Sequence, residues 1–139
     1  SDYAHRTKDP DVLTEFVRQR LARQITRRFA DGDAVRVVTF APEVEDLLLR
    51  GLQTADGSAP TLVLDPADVR KLLVRIRELV DGYPGPGQAV LLCPPIVRGA
   101  LRRLLERELP RVPLVSSAEI LPSVRIDNVA TLRLQGAKS

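Results

Sequence analysis

The chain's single cysteine, Cys93, ends the apolar run "AVLLC" and stands before Pro94, Pro95 and the helical pattern "IVRGALRRLLERELP". A thiol at a helix N-terminus becomes a nucleophile when it is partly exposed, aimed at the first amides, and held as thiolate by a nearby cation or histidine. Pro94 and Pro95 remove two of those amide donors. The one histidine, His5, belongs to the N-terminal stretch "SDYAHRTKDP". Cysteine is among the most buried residue types, so Cys93 is expected to close a core strand as an inert thiol. Ser116, Ser117 and Glu119 stand together in "SSAEI" without a histidine or lysine spaced to complete a triad. "GYPGPG", Gly82–Gly87, follows a helical pattern and precedes a strand, the reverse of the order a phosphate cradle needs, and is read as a turn. One cysteine and one histidine provide neither an internal disulfide nor a zinc site, so no metal is expected; with no triad and no phosphate loop, no enzymatic activity is expected either.

The basic residues are better candidates, for recognition rather than chemistry. The chain carries 21 Lys and Arg against 18 Asp and Glu, a formal charge of +3. Arg20, Arg23 and Arg27 fall within about 60° of one another on a helix, forming one basic ridge beside an apolar stripe. Such a ridge is either a solvated face or a contact for an acidic neighbour, since arginine matches carboxylates well. Arg102, Arg103 and Arg107, interleaved with Glu106 and Glu108, read as ordinary surface pairing. A basic α/β module binding nucleic acid is the main alternative, and an enzyme using Cys93 a further one. The 4% aromatic content and absence of tryptophan leave little for base stacking, so no nucleic acid is expected.

These residues must be positioned by a chain of 139 residues, the length of one ordinary domain. "DVLTEFVRQRLARQITRRF" places Leu13, Phe16, Val17, Leu21, Ile25 and Phe29 at helical steps. "AVRVVTF" reads as a strand and "APEVEDLLLRGL" as a helix ending near Gly51, with "QTADGSAP" a loop. Thr61–Leu64 reads as a strand, capped by Asp65 into a helix that begins at Pro66 and carries Val69, Leu72, Leu73, Ile76, Leu79 and Val80. "AVLLC" is the next strand. Pro95 opens a helix with Val97, Ala100, Leu101, Leu104 and Leu105 inward, and "PLVSS" is a further strand. "VRIDNVATLRL" reads as two short strand pieces around Asp127 and Asn128, a hairpin or an edge. Alternating strands and helices predict an α/β fold, a small mostly parallel or mixed sheet flanked by helices and preceded by an amphipathic helix. No apolar run approaches the roughly 18 residues of a membrane span, and the N-terminus lacks a signal peptide's apolar core.

Several of these segments together resemble the C-terminal end of the type III secretion export-gate family, the FlhA/InvA/LcrD proteins. "DPDVLTEFVRQRLARQI" is similar to the family's helix before its last cytoplasmic subdomain. "APEVEDLLLRGL" and "LVLDPADVRKLL" resemble its two proline–acid helix starts, and "LLCPPIVRGALRRLLERELPRVPLVSSAEI" its closing strand–helix–strand run. Pro94 replaces the family's usual capping serine, and Ser117 its usual tyrosine. The resemblance implies a fragment lacking the membrane-spanning half, divided into a tail (1–10), a helix of the preceding subdomain (11–30), a C-terminal α/β subdomain (31–135) and a tail (136–139). It implies a cytoplasmic ring, nonameric in the family, at the bacterial inner membrane. That ring receives chaperone-bound export substrates and the ATPase stalk. It gives Arg20, Arg23 and Arg27 a possible use between subunits, and implies no cofactor and no membrane contact by this fragment. "TKDPDVLTEFVRQRLARQI" leans towards the flagellar members.

Overall fold

The computed structural model describes Val17 and residues 30–31, 34–55, 57–85, 87–120 and 124–134. Its centre is a parallel sheet of four strands: β2 (Ala34–Phe40), β5 (Ala89–Cys93), β6 (Leu114–Ser116) and β7 (Arg125–Leu132). The spatial order is β7-β2-β5-β6, and the short β1 (Ala30–Asp31) pairs antiparallel with the start of β2. A parallel sheet buried on both faces needs strands apolar on both sides. "AVRVVTF" and "AVLLC" meet that demand, with Val35, Val37, Val38, Val90 and Leu91 all buried.

Proline placement sets the helix starts. Helices α1 (Pro42–Gly51), α2 (Pro66–Ile76) and α3 (Pro95–Leu105) each open with proline in the first turn, where no intrahelical donor is lost. Asp65 occupies the N-cap of α2 as expected, but its side chain makes no capping hydrogen bond; Pro66 and the acidic Asp68 in the first turn start this helix instead. Beyond Ile76 the chain continues as a π-helical turn, Arg77–Asp81, which carries Val80 into the core. One apolar cluster lies between the sheet and the helices, joining Val38, Phe40, Leu91 and Leu114 of the strands to Leu48, Leu72, Ile76 and Leu101. Leu73 and Leu104, expected inside, pack at its margin and are partly buried.

Two expectations change. Thr61–Leu64 does not enter the main sheet: only β4 (Thr61–Leu62) is extended, and it pairs antiparallel with β3 (Leu52–Gln53) in a separate two-stranded ribbon. Gly51 explains the close approach, since its carbonyl accepts from the Val63 N–H at 2.8 Å and a Cβ there would lie 2.7 Å from the Val63 oxygen. "VRIDNVATLRL" is not a hairpin. It is one edge strand, β7, running parallel to β2 along its whole length, with an irregularity where Val37 pairs Asn128 and Val38 pairs Ala130. Asp127 and Asn128 disfavour strands locally, but long-range pairing with β2 outweighs that preference. The bulge takes up the extra residue, Val129.

Candidate interaction surface

The described cavities that line a continuous surface lie on the outer side of α1 and α2. On α1, Glu43, Leu47 and Arg50 recur at steps of four and three and so share a face. On α2, Asp68, Lys71 and Arg75 form a parallel row, flanked by Arg70 and Val74. The chain leaving β7 brings Leu134 between them. A cleft of about 270 Å³ is bordered by Glu43, Leu47, Arg50, Asp68, Lys71 and Leu134. A second of about 400 Å³ is bordered by Arg70, Lys71, Val74, Arg75, Glu78 and Leu134. Lys71 and Leu134 border both, so the two clefts form one groove with Leu134 as its apolar floor.

Ion pairs set the groove's sign. Arg133 Nη1 donates to Glu43 Oε2 at 3.2 Å, and Arg75 Nη1 to Glu78 Oε1 at 3.0 Å. Arg75 Nε also reaches the Arg133 carbonyl at 3.3 Å, tying the end of α2 to the exit of β7. With Glu43 and Glu78 paired to arginines, the lining residues that remain are Arg50, Arg70 and Lys71 against one carboxylate, Asp68, so the lining carries a net positive charge. Val74 is 53% exposed on its rim. An apolar floor under a basic rim can seat the apolar stripe of an acidic helix or peptide. It brings together no nucleophile and base.

The other candidates resolve differently. Cys93 is buried at the end of β5, paired in register with Ser116 of β6 and followed by Pro94 as the α3 N-cap. Ser116 and Glu119 are fully buried, and the Ser116 N–H donates to Glu119 Oε1 at 2.7 Å in a capping box on the 3₁₀ turn Ser117–Glu119. That is local structure, with Ser117 exposed beside it. Arg102 is not a surface pairing residue: its guanidinium donates to the Val112 carbonyl at 2.8 Å and the Leu109 carbonyl at 2.9 Å, closing the turn after α3. Arg103 donates to the Pro60 carbonyl, linking α3 to the β3–β4 loop. Basic side chains in a last helical turn commonly find such carbonyls. Arg20, Arg23 and Arg27 lie outside the described residues, as does His5. The groove was missed by sequence reasoning. Its one local signal is Val74, an apolar residue of α2 off the inward stripe.

No helix among the described residues is long and apolar enough to cross a membrane. The chain is 36% identical over 136 residues to the flagellar biosynthesis protein FlhA of Bacillus subtilis, covering 95% of this chain and 20% of that protein. It is 32% identical over 131 residues to the invasion protein InvA of Salmonella typhimurium, covering 94% and 19%. The chain thus spans about a fifth of the curated relatives it matches. Its fold is similar to CdsV of Chlamydia pneumoniae in the structure of the CdsV and CdsO protein complex, with TM-score 0.80 and 31% identity over 95% of this chain and 39% of that one. The FHIPEP family model matches residues 1–125, and the chain belongs to the FHIPEP family.

Proposed function

We propose that this chain is the C-terminal end of the cytoplasmic part of a type III export-gate subunit at the bacterial inner membrane, with residues 31–135 as its terminal subdomain. There it joins a ring of like subunits that receives chaperone-bound export substrates and the ATPase stalk. Within that assembly the α1–α2 groove is a docking surface for an acidic, partly apolar partner segment. The observation that carries the reading is the net positive groove with Leu134 as its floor. The family relationship and the complex of the similar CdsV with CdsO support it. A nucleic-acid role finds less support, because the groove's described lining contains no aromatic side chain for base stacking.

The test is complementation of a gate-deficient strain with the full-length protein carrying Arg70→Glu and Lys71→Glu. Both residues are exposed, so melting of the protein should stay within a few degrees while secretion falls at least tenfold. Undiminished secretion with normal protein levels would remove the groove from the function.

A further inference from the structure

The two clefts of the α1–α2 groove differ in the charge of their described linings. The larger is bordered by Arg70, Lys71 and Arg75 against Glu78, an excess of two positive charges. The smaller is bordered by Arg50 and Lys71 against Glu43 and Asp68, two of each sign, so its described lining is neutral. An acidic segment lying along the whole groove meets a favourable field in the larger cleft. In the smaller it meets none unless a charge from outside the lining tips the balance.

Arg133 is that charge. It borders neither cleft, yet from the exit of β7 it is tied to both helices. Leu132 is completely buried, and its carbonyl accepts from the Ala41 N–H at 2.9 Å, which fixes the chain immediately before Arg133. The Arg133 carbonyl accepts from Arg75 Nε at 3.3 Å, at the end of α2. Its guanidinium donates to Glu43 Oε2 at 3.2 Å, in the first turn of α1. The two side chains of that pair are 55% and 60% exposed, so the pair contributes little to the stability of the domain. Its effect on an incoming acid is larger. It offsets the Glu43 carboxylate, and a like charge left uncompensated at an interface is costly.

We propose that Arg133 determines the groove's preference for an acidic segment by neutralising Glu43, although it borders neither cleft. The inference rests on the groove being the docking surface. Arg70 and Lys71 attract the segment directly, whereas Arg133 acts through Glu43. Glu43 is in turn the residue that rejects an acid once the arginine is removed. The bond from Arg75 goes to the Arg133 backbone, so it survives a change of the side chain, and the placing of Leu134 can be separated from the setting of charge.

The test is the affinity of the purified cytoplasmic ring for the ATPase stalk protein at low salt. Arg133→Gln should weaken binding about fivefold, the effect of one surface charge at close range. Adding Glu43→Gln to it should restore the affinity to within about twofold, because the carboxylate that Arg133 offsets is gone. Tm should stay within about 2 °C for both variants. Unchanged binding by Arg133→Gln would overturn the inference. So would a double variant that binds no better than the single one, since Arg133 would then touch the partner itself or act only as a strap. Arg70→Glu with Lys71→Glu is measured alongside. If that pair also leaves the affinity unchanged, the groove is not the docking surface and the inference falls with it. A loss in that pair with none in Arg133→Gln removes Arg133 and keeps the groove.

Discussion

Helices α2 and α3 both follow an extended segment, open with proline and carry a comparable number of arginines, yet they use their outer surfaces in opposite ways. On α3, Val97, Ala100, Leu101 and Leu105 are buried, and Arg102 and Arg103 reach backbone carbonyls at either side of the helix. Its charges hold the fold together. On α2 the inward row ends in Leu72 and Ile76, while Arg70, Lys71 and Val74 remain at the solvent-facing groove. The same residue type therefore bonds the backbone from α3 and, at Arg70, stays exposed at a groove on α2. On α2 only Arg75, at its end, finds such a carbonyl, that of Arg133; Arg70 and Lys71 border the groove instead.

Substitutions on the two helices should expose that contrast. The largest effect is expected from Leu101→Ala: the residue is fully buried, and its truncation should cost about 2 to 5 kcal/mol in urea unfolding. A loss below about 0.5 kcal/mol would mean that α3 does not form the core. Arg102→Ala removes the guanidinium donor from the Val112 and Leu109 carbonyls, the latter keeping only the Val112 N–H, and should cost about 1 to 3 kcal/mol. If it costs no more than Lys71→Ala, the proposed division between the helices fails. Cys93→Ala should lose about 1 kcal/mol. Thiol labelling of the native chain should be at least tenfold slower than in denaturant, because Cys93 is 2% exposed. Equal labelling rates would return Cys93 to the list of reactive groups. The smallest change in stability is expected for Arg70→Glu with Lys71→Glu, within about 0.5 kcal/mol in the same unfolding assay.

Local pattern disclosed what depends on local chemistry. The β-branched run at Ala34–Phe40 and the apolar run at Ala89–Cys93 mark the two central strands, and Pro42, Pro66 and Pro95 mark helix starts. "TLVL" has the same composition as a central strand, but after Gly51 closes on Val63 only two of its residues remain paired, in a ribbon. Asp127 and Asn128 carry turn chemistry inside a strand because β2 offers a full-length partner. Arg102 could not be told from Arg107 by type or spacing, since its acceptors lie seven and ten residues on, beyond the end of the helix. The groove was less legible still. Its Glu43–Arg133 pair joins residues 90 positions apart, and Leu134 becomes its floor only when β7 returns beside β2.

The central claim is that the α1–α2 groove, and not the α3 side, receives a partner. Its most direct test is the affinity of the purified cytoplasmic ring for the ATPase stalk protein, comparing Arg70→Glu with Lys71→Glu on α2 against Arg107→Glu, an exposed residue just beyond α3. Charge reversal in the groove should weaken binding at least tenfold, about 1.4 kcal/mol, with the Arg107 variant within twofold of the unaltered protein. Equal affinities for all three proteins, or a loss confined to Arg107→Glu, would contradict the account.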